Sequence, residues 1–388
     1  MKRNKKAPRS KAQRFVLSFL YILLGIFLIY SLWLSLNLSR FKTYKPSSQD
    51  VSLREVEGAY HMHSTFSDGR KNIEEIAALA SSASLDFIIL TDHGEPNFEA
   101  LACQGWKKGV LVLSGSELSI SRGHLVALDF KTPSHSFSQN AEESVYQIKA
   151  LHGFTIIAHP YSKVSWSWGK FIDYSGIEII NADSMLKKDF IRSLPHMPAL
   201  FIKPQYALLK ILVRPEKNIK KWDALNKIHP IYGYFSVDAH LLYRPLFFLL
   251  RLHLPLKKPL SADFETAKRQ IYDLLKHGNF YNAVDSAAQA DGFRFWAEKG
   301  KKKIPMGGIT SLDSVTTLYI KTPFPFAKEA FLIHNGNTIH HSREEMLSYK
   351  PTQPGIYRVE VYLKERTPLN KKVPWIVSNP IFLTEGKQ

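Results

Sequence analysis

Six histidines and three carboxylates recur in this sequence close to short apolar runs: His61, His63, Asp68, His93, Glu117, His124, His159, Asp238 and His240. The first three share the stretch A-Y-H-M-H-S-T-F-S-D-G, residues 59–69. On a β-strand, side chains at i and i+2 point to the same face. Two imidazoles at 61 and 63 can therefore grip one cation, and Asp68 can curl back to it from a Ser/Asp/Gly turn. Each of the nine has an ordinary explanation when taken alone: a capped turn, a hydrogen-bonded core histidine, a solvent-facing acid. Burying all nine together without metal would be costly. Nitrogen and oxygen donors without sulfur suit two or three divalent ions such as Zn, Mn or Fe. Closely spaced ions lower the pKa of a bridging water and clamp both oxygens of an in-line displacement at phosphorus. Such a pair needs a bridging carboxylate, and Glu117 is the best placed in sequence.

The elements that must position these groups alternate. Residues 72–82 have Ile and Ala at helical spacing. Residues 85–90 form a short apolar run, a buried parallel strand, ending in T-D-H-G at 91–94. A helix is expected over 99–107 and a strand over 110–113, running into S-G-S-E at 114–117. Further strands are read at 123–128 with His124 at the start, at 154–158 before His159-Pro160, and at 176–180 before Asn181. The last, 230–236, precedes Val237-Asp238-Ala239-His240. Helices are read at 141–152 and 262–277. This alternation argues for a parallel barrel with polar groups on one rim, where such barrels put chemistry. Two basic, apolar stretches, 197–213 and 241–259, read either as helices facing the barrel core or as amphipathic lids on a membrane surface. From about 290 the texture changes to short alternating strands divided by Asn-Gly and Pro-Gly turns. That is an all-β module, read as a small immunoglobulin-like sandwich with a structural or partner-facing role.

Composition sets the bounds. The chain has 388 residues and a formal net charge of +18, which favours anionic partners. Cys103 is the sole cysteine, so no intramolecular disulfide forms. Residues 1–14 hold seven basic residues and no acid, and 15–39 then run without a charge. That run is long enough to cross a bilayer, longer than a signal-peptide core, and lacks a small-x-small cleavage site. It reads as an uncleaved signal anchor. The preceding cations place the N-terminus in the cytoplasm of a bacterial inner membrane. Residues 40–56 read as a short tether, and everything beyond faces the periplasm or exterior. Nucleic acid is not an expected partner, since no basic strand is interleaved with aromatics.

The ordered segments H-M-H-S-T-F-S-D-G, L-T-D-H, G-S-E-L-S with G-H-L behind it, I-I-A-H-P and S-V-D-A-H resemble the motifs of the PHP family. These are the polymerase and histidinol phosphatase metallophosphoesterases. The closing P-W-I-V-S-N-P-I-F-L is similar to the β-module that follows the PHP domain in many bacterial members. The resemblance covers roughly 57–285 and implies a distorted (β/α)7 barrel with up to three metals. It implies His61, His63, Glu117 and Asp238 for a first site, Glu117, His124 and His159 for a second, and Asp68, His93 and His240 for a third. Ser236-Val237-Asp238 stands where many relatives have Gly-Ser-Asp, and the long insertions depart from the shortest members. The expected order is a basic tail to 14, an anchor to 39, a tether to 56, a PHP domain over 57–289 and a β-sandwich over 290–388.

The expected activity is hydrolysis of a phosphate ester by a metal-activated hydroxide, the ester being a phosphorylated small molecule or a lipid head group. Glu117 and Asp92 are the expected catalytic carboxylates, Asp92 as an orienter of the ligand shell. Arg122 and Lys163 are candidates for holding the substrate phosphate. A carbamate or amide hydrolase on the same site is one competing expectation. A catalytically silent envelope scaffold is the other, and the complete ligand set argues against it.

Overall fold

The structure, a computed structural model, describes residues 10–46, 54–162, 166, 173–188, 194–323, 326 and 328–386. Its first element is helix α1 (Lys11–Arg40), started by a reciprocal cap between Ser10 and Gln13. It is long and apolar enough to cross a membrane, and the protein covers little of it. Only Ser31, Leu34, Ser35 and Leu38 are buried, one stripe near its C-terminal end. The chain does not swing free after α1. Tyr44 N–H donates to Ala287 O and Gln289 N–H to Tyr44 O. Thr43 bonds to Tyr206 and Ser286, and Phe41 meets the Tyr206 ring edge-on at 4.9 Å. The first part of the expected tether is thus strapped to the domain; residues 47–53 lie outside the described ones.

The barrel follows in order: β1 (Arg54–Tyr60), α2 (Ile73–Ser82), β2 (Phe87–Leu90), α3 (Phe98–Ala102), β3 (Gly105–Lys107), β4 (Val110–Ser114), β5 (Ser116–Ser119), β6 (His124–Leu128), α4 (Ala141–Ala150), β7 (Phe154–Ala158), β8 (Gly176–Asn181) and α5 (Ala182–Lys188). Then come a 3-10 turn (Leu194–Phe201), α6 (Pro204–Leu209), α7 (Glu216–Asn226), β9 (Tyr232–Ser236), α8 (Tyr243–Leu249), β10 (Arg251–Leu256), α9 (Phe264–Lys276) and β11 (Tyr281–Ala283). Strands β2, β4, β7, β8 and β9 are buried throughout, as central staves must be. Helix α2 buries Ile73, Ile76, Ala77 and Ala80, its apolar stripe.

β1, β2 and β4 pair in parallel. Gly115 bends the chain from β4 into β5, where a Cβ would meet Ala127 O at 2.2 Å. β6 is antiparallel to both β5 and β7, while β7, β8 and β9 are parallel. With β4 and β5 as one stave, the ring is β1, β2, β4/β5, β6, β7, β8 and β9, the distorted (β/α)7 barrel. The strictly parallel order is broken at β6. That reversal is why His124 reaches the barrel mouth from the start of its strand, whereas His61, His159 and Asp238 follow strand ends. The ring closes beyond the strand ends: Val237 N–H donates to Tyr60 O, Ala239 N–H to His61 O and His63 N–H to Ala239 O. Lower down, side chains replace the absent ladder. Asn282 Oδ1 accepts from Phe235 N–H, and Asn379 Oδ1 from Gly233 N–H, both at 2.7 Å.

Two segments differ from their expected form. The helix expected over 99–107 ends at Ala102, because 105–107 pair with β4 as a hairpin. The stretch 241–259 is a short helix followed by β10, which pairs with β1 and is almost wholly buried. Most of its apolar residues are buried in the core, while Leu241 at its start is exposed. In the 197–213 stretch, Tyr206–Leu209 are likewise buried, but Phe201 and Ile202 are exposed.

After residue 290 the described chain is all β. One sheet holds β12 (Arg294–Lys299), β13 (Lys302–Pro305), β15 (Thr316–Lys321) and β18 (Met346–Tyr349). The other holds β14 (Ile309–Ser311), β16 (Lys328–His334), β17 (Asn337–Ser342), β19 (Gly355–Leu363), β20 (Ile376–Ser378) and β21 (Ile381–Thr384). This second sheet continues into the barrel, since β20 pairs with β11, β11 with β10, and β10 with β1.

A buried charge network fastens that seam. His253 on β10 lies between Glu55 (3.3 Å) and Asp285 (3.0 Å), and stacks on Tyr281. Arg294 pairs with Glu55, and Arg251 with Glu57. Burial disfavours the imidazolium, but Asp285 and Glu55 outweigh it and hold His253 well above the usual histidine range. Burial likewise opposes ionised Glu55, yet His253 and Arg294 bring its pKa down to about 2. The Glu55 contribution is present above its ordinary pKa of 4.5 and fades as pH falls towards about 2. The His253 contribution is complete below 6.5 and fades as pH climbs through the raised folded-state value. His253→Gln is expected to cost about 3 kcal/mol, the range for breaking a buried ion pair. It should also flatten the fall in thermal midpoint above pH 6.5. An unchanged slope in the variant would refute the assignment.

Candidate metal centre

The rim strands deliver their polar groups to one cleft of about 690 Å³. Glu117, on β5, sits at its floor and is fully buried. Its Oε2 lies 3.2 Å from His61 Nε2, 3.3 Å from His63 Nε2 and 3.4 Å from His93 Nδ1. Its Oε1 lies 2.9 Å from His124 Nδ1 and 2.8 Å from His159 Nε2. One carboxylate therefore presents each oxygen to a different set of imidazoles. Asp238 Oδ1 stands 3.5 Å from His61 Nε2 and 3.4 Å from His63 Nε2. Asp68 is the outer member, 3.6 Å from His63, 3.9 Å from His93 and 3.3 Å from His240.

Backbone geometry aims these groups. His61, His159 and Asp238 have φ of 68°, 24° and 49°, the left-handed region that non-glycine residues enter at a cost. Each stands where a strand ends, and the turn swings its side chain over the barrel mouth. Gly69 makes the loop of His63 and Asp68 possible: a Cβ there would lie 2.1 Å from His63 O. Tyr243, from the 241–259 insertion, donates to His63 O at 2.7 Å and braces the same loop.

All nine expected ligands are brought together. Arg122 lines the cleft beside Ser121 and Gly123. Lys163 lies outside the described residues. Asp92 is placed differently from a group reaching the reacting centre. Its Oδ1 accepts from Ser64 N–H and Ser67 Oγ at 2.6 Å each, and its Oδ2 from Ser64 Oγ at 2.9 Å. Those bonds occupy it in holding the 63–68 loop, so it is a positioning residue and not a catalytic one.

Three further residues emerge from the structure. Glu178, fully buried on β8, meets His61 Nδ1 at 2.5 Å and accepts from His159 N–H at 2.8 Å. Asn181 donates to Glu178 (2.9 Å) and Asp238 (3.1 Å). Residues three apart would face opposite sides of a regular strand, but the β8–β9 register slips between Glu178 and Ile180, so both point inward. Lys187, on α5, lines the cleft and pairs with Asp183 at 2.5 Å. The signal for Glu178 was present: one carboxylate inside G-I-E-I-I-N, a strand otherwise apolar to its end.

The donor set fits divalent cations. His63 Nε2 and His93 Nδ1 are buried without a hydrogen-bond partner, although both face the Glu117 carboxylate. Unpaired buried ring nitrogens call for an explanation, and a cation between nitrogen and carboxylate supplies it. Rings crowd too closely to carry protons together: His63 and His240 stack at 4.3 Å, and His63 and His93 lie 4.6 Å apart. Burial opposes the imidazolium at His61, but Glu178, Asp238 and Glu117 reverse the balance and raise it well above the usual range. His63 is raised to about 9 in the same way, by Asp238 and Glu117 against burial. His93 is pushed down by burial. Burial would raise Glu117, yet the surrounding histidines hold it well below the usual carboxylate range.

Residues 59–208 match the family model described as the PHP domain, and this part of the chain is a PHP domain. The matched range ends before Asp238 and His240, which the fold itself brings to the site. No curated protein matches the chain. Among solved structures, one similar fold is a two-domain protein of Bacteroides vulgatus described as containing a PHP-like metal-dependent phosphoesterase. It is 15% identical with a TM-score of 0.44, over 87% of this chain and 99% of that one. Another is an amidohydrolase of Chromobacterium violaceum with bound sulfate and no metal, 16% identical, TM-score 0.31, over 47% and 87% of the two chains. A third is a protein of Bifidobacterium adolescentis described as a metal-dependent phosphoesterase, 11% identical, TM-score 0.31, over 48% and 89%. A PHP domain with this donor set defines the general class, a metal-dependent hydrolase.

Two measurements follow. Metal must displace protons from His61 and His63, so apparent affinity should tighten as pH rises from 6.5 to about 9. Calorimetric titration with Mn or Zn in two buffers of different ionisation enthalpy should show proton release; none would contradict the protonation described. Glu178→Gln should weaken metal binding about 10–100-fold, the usual effect of losing a partner behind a ligand. Unchanged affinity would reduce Glu178 to a packing role.

Proposed function

We propose that this chain is a membrane-anchored, outward-facing phosphoesterase. The observation that carries the reading is Glu117, whose two oxygens face two separate groups of imidazoles. That arrangement suits two neighbouring divalent ions sharing one carboxylate, with His61, His63 and Asp238 on one side and His124 and His159 on the other. His93, Asp68 and His240 offer a third set at the outer edge. Bound ions would supply Lewis acidity, making water a better nucleophile and neutralising charge that builds on phosphoryl oxygens. Zn, Mn and Fe all suit such donors.

The protein's own residues do the rest. Glu117 and Asp238 bring net negative charge to the floor, which offsets that of the cations. Glu178 fixes the ring of His61 through Nδ1, leaving Nε2 directed into the cleft. Asp92 fixes the loop that carries His63 and Asp68. At the mouth, Arg122 and Lys187 face the cleft and can hold the non-reacting phosphate oxygens of an ester. The cleft is open on one side, so the alcohol portion of the ester can extend into solvent. The natural ester is a phosphorylated small molecule or a lipid head group.

Anchoring is supported by α1, and its direction by the cations ahead of it, which favour a cytoplasmic N-terminus at a bacterial inner membrane. The barrel then lies in the periplasm or outside the cell.

The test is turnover by the purified full chain in lipid nanodiscs, loaded with Mn or Zn, against phosphomonoesters, phosphodiesters and carbamates. Phosphoester hydrolysis is expected, lost in Glu117→Ala. Arg122→Ala should raise KM about tenfold, worth about 1.4 kcal/mol, with a smaller effect on kcat. Turnover of carbamates alone would overturn the phosphoesterase reading. No turnover of any kind, with a partner captured through the β-module, would favour a scaffold.

A further inference from the structure

The turn at Leu194–Phe201 places an uncharged, apolar surface where α1 leaves the membrane. This rests on the reading of α1 as a span. The charge-free run begins at Phe15. About 20 residues at 1.5 Å each cross the hydrocarbon, so the helix exits near residue 34. The stripe that α1 buries, Ser31, Leu34, Ser35 and Leu38, straddles that exit. The element packed against α1 there is the 3-10 turn. The turn reads L-P-H-M-P-A-L-F, with no charged residue. At its end Phe201 is 92% exposed and Ile202 53%. Both stand out from the described residues, whereas Tyr206–Leu209 of the same stretch are buried.

Two further observations point the same way. Tyr30 and Trp33 lie on the exposed surface of α1 at this level, 6.0 Å apart, the position of an interfacial aromatic belt. Cations follow both apolar segments in the chain: Arg40 ends α1, Lys42 comes two residues later, and Lys203 lies just after the turn. Apolar tips bordered by cations are the composition of a segment seated at the boundary of acyl chains and head groups. The strap of Phe41, Thr43 and Tyr44 ties the C-terminal end of α1 to the barrel domain.

We propose that residues 194–202 form a foot inserted into the outer leaflet beside α1, and that the occupant of this surface is the lipid bilayer. The foot holds the barrel against the membrane in one orientation. It follows α5 in the chain with only 189–193 between, and α5 lines the cleft through Asp183, Ser184 and Lys187. One wall of the cleft is therefore close in sequence to a lipid-seated segment.

The test uses the full chain with Cys103→Ser, reconstituted in phosphatidylcholine–phosphatidylglycerol vesicles. Single cysteines at Phe201→Cys, Ile202→Cys, Leu24→Cys and Ile228→Cys carry an environment-sensitive fluorophore. Lipids brominated at shallow or deep acyl positions are the quenchers. The expected result is quenching at 24 by deep bromines, quenching at 201 and 202 by shallow ones, and none at 228. Quenching at 24 without any at 201 or 202 would overturn the foot while leaving the span intact. A blue-shifted but unquenched label at 201 and 202 would also overturn it, since a second copy or another protein would then cover the patch. No quenching at 24 would remove the span, and the foot with it.

Discussion

One carboxylate surrounded by five imidazoles is the constraint on which the rest of this molecule depends. Glu117 is buried with His61, His63, His93, His124 and His159 within 3.4 Å of its two oxygens. Water cannot solvate such a cluster, and protons cannot sit on every ring at these separations. The fold has to supply counter-charge, and the geometry invites cations to supply more. The surrounding structure is arranged around that demand. Backbone hydrogen bonds run around the rim from Ala239 N–H to His61 O and from Glu117 N–H to Asp92 O. These side chains are thereby held relative to each other by the fold itself, which is what preorganisation of a site requires.

The supporting residues come from every part of the barrel domain. Asp92 ties down Ser64 and Ser67, Glu178 and Asn181 reach across to His61 and Asp238, and Tyr243 holds the carbonyl of His63. The last of these shows what the 241–259 insertion does. Its short helix braces the catalytic rim, and its following strand joins the barrel to the β-module. Length that looks dispensable in the sequence is structural in two directions.

The clustered histidines and carboxylates are legible in the sequence because most stand next to an apolar run, and strand ends can be located by where such runs stop. The barrel class was legible for the same reason. What stayed hidden follows from the physics of those signals. Apolar patterning says little about direction, so the reversal of β6 was not visible. In L-L-R-L-H-L-P-L the leucines at 250, 252, 254 and 256 alternate with Arg251, His253 and Pro255, the period of a strand, so a helix across all of 241–259 conflicts with that pattern. Glu178 is hidden because G-I-E-I-I-N is apolar apart from that one charge, and its hydrophobicity marks only a buried strand. In the sequence Asp92 reads both as an orienter and as a catalytic carboxylate, because it stands next to His93. Its hydrogen bonds were all taken by serines 25 and 28 positions away.

The seam between barrel and β-module has a consequence for how the molecule is made. Strand β11 exposes one edge until β20 pairs with it, and β20 lies more than ninety residues downstream. Asn379, which satisfies a backbone group of β9, comes later still. During synthesis the barrel is therefore left with an open β edge and an unsatisfied stave until residues 376–379 have emerged, and unpaired edges of this kind attract other chains. A chain in that interval is exposed to whatever binds unpaired strands. Its yield in the cell would then depend on those encounters as much as on the stability of the finished fold.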